Sequence, residues 1–191
     1  MKTTLPLCRL SFVGLAVTMM MMAAFSGSCL AQQPDRKLDL LKNGSFEKGL
    51  EGWQTSSHRK NGKFEIDKVE LYKGLPTLKI DNLGADDSLA MQKVTVKPLT
   101  RYRLTGFVKT KDIKPGDKDA TVGANVCLRG GFERSENIMK TRTWGRLTLE
   151  FETGPKTEVE VGPRLGFFSS AVTGTAWFAD LSLVELGPAR R

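Results

Sequence analysis

From Leu38 onward the chain consists of short segments in which apolar and polar residues alternate. Glycine and proline separate them, and no stretch holds a helical period. Residues two apart on an extended strand share a face, so this alternation commits the chain to half-buried strands with one oily side each. Nine segments qualify: LDLL, KFEIDKVEL, TLKID, SLAMQKVTV, RYRLTGFVKT, ATVGANVCLR, WGRLTLEFET, EVEVGPRLGFF and TAWFADLSLVEL. With turn signals between them and no internal repeat, they predict one all-β domain, an antiparallel two-sheet β-sandwich over 38–188.

Parity then assigns faces. In ATVGANVCLR, Val122, Ala124, Val126 and Leu128 are expected inside, and Thr121, Asn125, Cys127 and Arg129 on the opposite side. In RYRLTGFVKT, Tyr102, Leu104 and Val108 point in, leaving Arg103, Thr105, Phe107 and Lys109 out. In EVEVGPRLGFF, Val159, Val161, Leu165 and Phe167 point in, and Glu158, Glu160, Arg164 and Phe168 out. The second faces mix guanidinium, amide, carboxylate and aromatic groups. That mixture suits a polyhydroxylated ligand, whose hydroxyls take bidentate polar partners and whose ring faces take an aromatic floor. Plain solvent exposure produces a similar list. On the first reading the ligand-binding set is Arg103, Phe107, Asn125, Arg129 and Arg164, gathered in one concavity, with Phe168 and the Phe132 of a long charged loop, Gly130 to Thr143, as further aromatics.

Ahead of the domain, Lys2 and Arg9 precede an apolar run from Leu10 to Phe25 and small residues up to Ala31, the layout of a secretory signal peptide over 1–31. Residues 32–37 read as a polar tether and 189–191 as a basic tail. Cleavage would leave no integral membrane segment, and Cys29 at the edge of the leader is a candidate for lipidation. Cys8 and Cys29 fall within the leader, so Cys127 is left as a lone thiol, and the exported domain has to stand on its core rather than on a disulfide. Removing Lys2 and Arg9 takes the net charge from +8 to +6. Outside a cell that basic balance points to acidic glycans, anionic envelope polymers or a membrane surface rather than nucleic acid, with a plain solvated surface in modest lysine excess as the equal alternative.

Catalytic chemistry finds little support. His58 is the only histidine, so no His-rich metal site can be assembled, and there is no nucleophile-elbow pattern. The carboxylate pairs Glu65/Asp67, Glu150/Glu152 and Glu158/Glu160 alternate on single strands, whereas glycosidase carboxylates flank a substrate bond, usually from separate segments.

The order of NGSFEKGLEGW, SLAMQKVTVKPLTRYRLTGFVKT, TWGRLTLEFET and GTAWFADLSLVEL resembles carbohydrate-binding modules of the CenC type, in the galactose-binding-domain-like jelly-roll superfamily. The resemblance covers Leu38 to Leu186. It implies a jelly-roll sandwich that binds glycans without changing them, either alone or beside a separate glycoside hydrolase or surface protein. It also implies a structural calcium held by Glu47 and Asp180, although the second acid usual beside Asp180 is replaced by Ala179. Hydrogen bonding of both carboxylates to turn amides is the alternative at that corner. Relatives that keep the fold as structural or protein-interaction domains leave a second function open, and a sandwich glycosidase or lyase a third. Trp53, Trp144 and Trp177 are expected in the core.

Overall fold

The computed structural model describes residues 38–116, 121–168 and 170–190. The leader, the tether and Arg191 lie outside them. Among the described residues nine strands form two antiparallel sheets. Strands β1 (Gln54–Ser57), β4 (Ser88–Thr95), β6 (Ala124–Leu128) and β8 (Glu158–Leu165) make a four-stranded sheet in the order β1-β4-β8-β6. Strands β2 (Gly62–Tyr72), β3 (Leu75–Asp86), β5 (Thr100–Pro115), β7 (Lys140–Glu152) and β9 (Val172–Pro188) make the other, in the order β2-β3-β9-β5-β7. Among the described residues no helix is long and apolar enough to cross a membrane.

The sheets meet through the residues that parity sends inward. Leu78, Ile80, Leu104, Leu147, Phe178 and Leu183 come from one sheet, and Ala90, Val94, Val126, Leu128, Val161 and Leu165 from the other. Each buried leucine or valine removed from water contributes about 1.5–3 kcal/mol, so the core among the described residues rests on apolar burial. Cys127 is the one free thiol among the described residues, and burial pushes it up to about 11, so at neutral pH it stays protonated.

The segment NGSFEKGLEGW clasps one end of the sandwich. Phe46 is fully buried and packs on Trp53, their ring centroids 5.4 Å apart, and both belong to the core. The Asn43 side chain donates to the carbonyls of Gly49 and Glu51 and accepts from the Lys48 N–H, which rolls the segment into a closed turn. Gly44 accepts from the Leu181 N–H, and a Cβ there would lie 1.9 Å from the Leu181 carbonyl oxygen, so only glycine fits against β9. On the other side Lys42 and Gln92 exchange two hydrogen bonds of 2.8 and 2.9 Å, which fastens the segment to β4. One turn therefore ties both sheets together.

Several expectations are corrected. LDLL is not a strand but makes a single bridge, Asp39 to Val184, while the strand at Gln54–Ser57 replaces it in the count of nine. Trp177 is buried, but on the outer face of the five-stranded sheet, where its Nε1 donates to Asp67 at 2.8 Å and the Lys109 ammonium lies over its ring. Trp144 is half-buried and packs against Tyr72 at 4.9 Å rather than entering the core. The long loop from Gly130 docks along the free edge of β6 through Leu128–Glu133, Val126–Ser135 and Ala124–Ile138 backbone bonds. That covers an edge which would otherwise present unpaired amides.

Candidate functional site

A groove of about 480 Å³ opens on the outer face of the four-stranded sheet. Strand register builds its floor. Ser56 on β1 pairs with Leu89 on β4, Leu89 pairs with Arg164 on β8, and Arg164 pairs with Asn125 on β6. One transverse row thus runs across all four strands. Beneath and beside it, Met91, Val122, Cys127 and Phe167 form a small second apolar cluster with Leu89. Phe167 and Val122 were expected in the main core. For Phe167 the reason is visible in the backbone, since Gly166 at φ 102° breaks the strand's parity and turns the ring to the groove side.

Arg164 is the centre of this face. Its Nε donates to Asp87 at 2.6 Å, its Nη2 donates to the other Asp87 oxygen, and the pair is buried. The guanidinium carbon sits 4.3 Å from the Phe167 ring centroid and 4.7 Å from that of Phe168. Burial alone would lower the basicity of Arg164; the Asp87 carboxylate outweighs it and raises it, so the charge is permanent. A bidentate, stacked guanidinium is fixed in orientation, which a lysine at this place would not be.

Asp86, the neighbour of Asp87, organises the rim. Its carboxylate accepts from the Ser57 hydroxyl at 2.6 Å and from the N–H groups of Arg59, Asn61 and Asp87 at 2.9, 2.6 and 2.7 Å. Burial would push this carboxyl up, but those donors outweigh it and hold it below the ordinary carboxylate range. The turn they fix carries His58 and Arg59 to one wall of the groove. Arg129 and Gly130 contribute to the lining as well, with Arg129 paired to Glu160 at 2.8 Å. At the Phe168 end, that ring is 48% exposed on a left-handed backbone of φ 47°. Phe132 is 78% exposed, 5.7 Å from Phe168. A non-glycine residue in that region costs about 1–3 kcal/mol and persists where the surroundings over-determine it, typically at ligand clamps.

The five residues selected from sequence do not converge. Arg164 and Arg129 line the groove, and Asn125 lies in the same row but is fully buried, its amide donating to the carbonyls of Gly123 and Gly166. Arg103 and Phe107 belong to β5 and hence to the other sheet. There Arg103 pairs with Glu150 at 2.7 Å and Phe107 stacks under Tyr72 at 4.5 Å. Parity identified the outward side of each strand but not the sheet that strand joins. Ser56, His58, Arg59, Asp87 and Leu89 were not singled out for the site. The adjacent acids Asp86 and Asp87, opening the strand that carries Leu89, were the one signal that could have drawn attention there.

Glu47 and Asp180 border cavities that share Ser45. The Ser45 hydroxyl donates to Glu47 at 2.8 Å, and Asp180 pairs with Lys73 at 3.3 Å. Calcium takes six to eight oxygens. Here Glu47 is engaged by Ser45 and Asp180 by Lys73, and among the described residues no three acidic, histidine or cysteine side chains gather to hold a metal ion.

A groove of this kind across one face of a two-sheet jelly-roll sandwich, with an aromatic ring at its rim, defines the carbohydrate-binding-module class of fold. The chain belongs to the carbohydrate binding domain family, whose CBM_4_9 model matches residues 38–161. Over 149 residues it is 30% identical to exochitinase 1 of Streptomyces olivaceoviridis, a match covering 78% of this chain and 22% of that protein. The chain thus spans about a fifth of this curated relative. Two solved structures share the fold. A family 16 carbohydrate-binding module-2 has a TM-score of 0.55 at 22% identity, covering 77% of this chain and 100% of that one. TmCBM61 in complex with beta-1,4-galactotriose has a TM-score of 0.51 at 20% identity, covering 78% and 99%.

Proposed function

We propose that the protein is an exported, non-catalytic module that holds a polysaccharide chain in the groove of the four-stranded sheet. The observation that carries this reading is the row Ser56–Leu89–Arg164, an apolar and polar floor that ends beside the exposed ring of Phe168. A sugar ring lays its C–H face on Phe168 while its hydroxyls meet the guanidinium groups of Arg129 and Arg164 and the hydroxyl of Ser56. Among the described lining residues Asp87 is the one carboxylate, and it is bound on both oxygens by Arg164. None of them places a second acid across a glycosidic bond, which supports binding without hydrolysis. Such an open site gives affinities of about 4–8 kcal/mol, millimolar to micromolar.

An acidic chain is favoured over a neutral one. Arg129 and Arg164 line the groove already balanced by Glu160 and Asp87, so what favours an anionic group is the guanidinium donors at the rim together with the +6 balance of the exported chain. Export rests on the Lys2/Arg9 leader, and a separate hydrolase or surface protein is the partner that such a module would serve.

Affinity electrophoresis through gels containing neutral, uronic or sulfated polysaccharide tests the reading. Retardation is expected with an acidic polymer, weakened by salt and lost on changing Arg129 and Phe168 together to Ala. Migration unaffected by every polymer, alongside a stable protein complex in pull-downs, would establish the protein-interaction alternative instead. Mass spectrometry of the exported chain checks cleavage after Ala31.

A further inference from the structure

We propose a second sugar site on the opposite face of the molecule, at the corner where the β2–β3 hairpin folds over β9. It takes a single neutral sugar ring. The ligand class rests on the carbohydrate-binding reading above, whereas the location does not depend on the groove.

A cavity of about 270 Å³ lies here, lined by residues from three distant segments: Ser45, then Tyr72, Lys73, Leu75 and Pro76, and Ala179 with Asp180. Its walls are apolar, from Leu75, Pro76 and the small Ala179. Its polar groups are the Ser45 hydroxyl and the Lys73–Asp180 ion pair. This combination matches a pyranose, with a C–H face for the apolar walls and hydroxyls that both donate and accept at its edge. The two charges cancel, so the corner has no attraction for an anion, in contrast to the groove. Its volume is little more than half that of the groove, room for a ring rather than a chain.

The corner is also built in advance. The register of β9 against β5 slips between Thr105 and Phe107, which pair with Ser182 and Ala179, and Asp180 sits in the resulting bulge. Bulges re-aim side chains and recur beside functional sites. Asp180 and Lys73 both adopt φ 51°, a left-handed backbone for two non-glycine residues whose side chains meet. Tyr72, the adjoining wall, is held between Phe107 at 4.5 Å and Trp144 at 4.9 Å, with the Lys73 ammonium 5.1 Å from its ring centroid. Outside the cavity the hairpin exposes Val69 and Leu71, which adds apolar surface at its mouth.

The test is an NMR titration of the isotope-labelled protein with methyl β-glucoside, methyl β-galactoside and methyl β-N-acetylglucosaminide, and separately with an oligouronate. At least one neutral glycoside is expected to shift the amides of Lys73, Gly74, Ala179 and Asp180. The oligouronate is expected to shift those of Arg129, Arg164 and Phe168. Asp180→Asn and Ser45→Ala, both changes at accessible side chains, should each weaken the neutral response roughly tenfold while leaving the groove response unchanged. Groove shifts without corner shifts would overturn the second site alone. Silence at both places would overturn the carbohydrate reading itself.

Discussion

Asp87, at the junction between β3 and β4, meets Arg164 of β8, the neighbour of β4, through both carboxylate oxygens, with two phenylalanine rings closing over the guanidinium. The pair is both a structural element and the centre of the groove. Removing the acid leaves a buried cation without a partner, and such losses cost about 3–5 kcal/mol. Asp87→Ala is therefore expected to lower the free energy of urea unfolding by that amount and to abolish polysaccharide retention. A loss below about 1 kcal/mol would mean that Arg164 swings to solvent and that the floor is not rigid.

Asp86 makes stability depend on acid. Its carboxyl is held below the usual range by four donors, so the native state binds its proton later than the unfolded chain does. The sign follows from linkage: this contribution is complete above the unfolded value of about 3.9 and fades as pH falls from there through the lower native value. Denaturation midpoints measured between pH 7 and pH 2 should show Asp86→Asn weaker than wild type at neutral pH, with the gap closing toward the acid end. A gap constant with pH would contradict the depressed pKa.

The two outward phenylalanines have different work. Phe168→Ala removes an exposed platform, so retention is expected to fall by about 0.5–1.5 kcal/mol, roughly two- to thirteenfold, with little change in Tm. Phe107→Ala opens a gap beneath Tyr72 on the other sheet, so Tm falls while retention by acidic polysaccharide persists. Gel retardation and thermal melts on both variants separate the two. Equal loss of retention would place the chain on the five-stranded sheet.

A calcium ion at the corner of Glu47 and Asp180 would have to compete with an ammonium. Asp180 is engaged by Lys73, so the Tm of the wild type should be insensitive to calcium or chelator, and Lys73→Ala should acquire a calcium-dependent rise of a few degrees. Differential scanning calorimetry with and without calcium decides it. A wild-type Tm that climbs steeply with calcium would show that the ion displaces Lys73 unaided.

Alternation along the chain was enough to determine that this protein is a β-sandwich, and for most strands which residues face the core. Leu104, Val126 and Val161 went inward as parity requires, because a strand has only two sides and water disfavours one kind of residue. The order of its turn motifs further carried the family resemblance. What only the tertiary structure decided is which outward faces belong together. Arg103 and Arg164 look alike in sequence, each following an apolar neighbour on its strand, yet β5 and β8 join different sheets and the two side chains end on opposite surfaces of the molecule. Local pattern cannot report this, since sheet order arises from pairings between residues far apart in the chain. The bulge at Asp180 and the left-handed turn at Gly166, which re-aim the side chains that matter most, are likewise imposed by those distant partners.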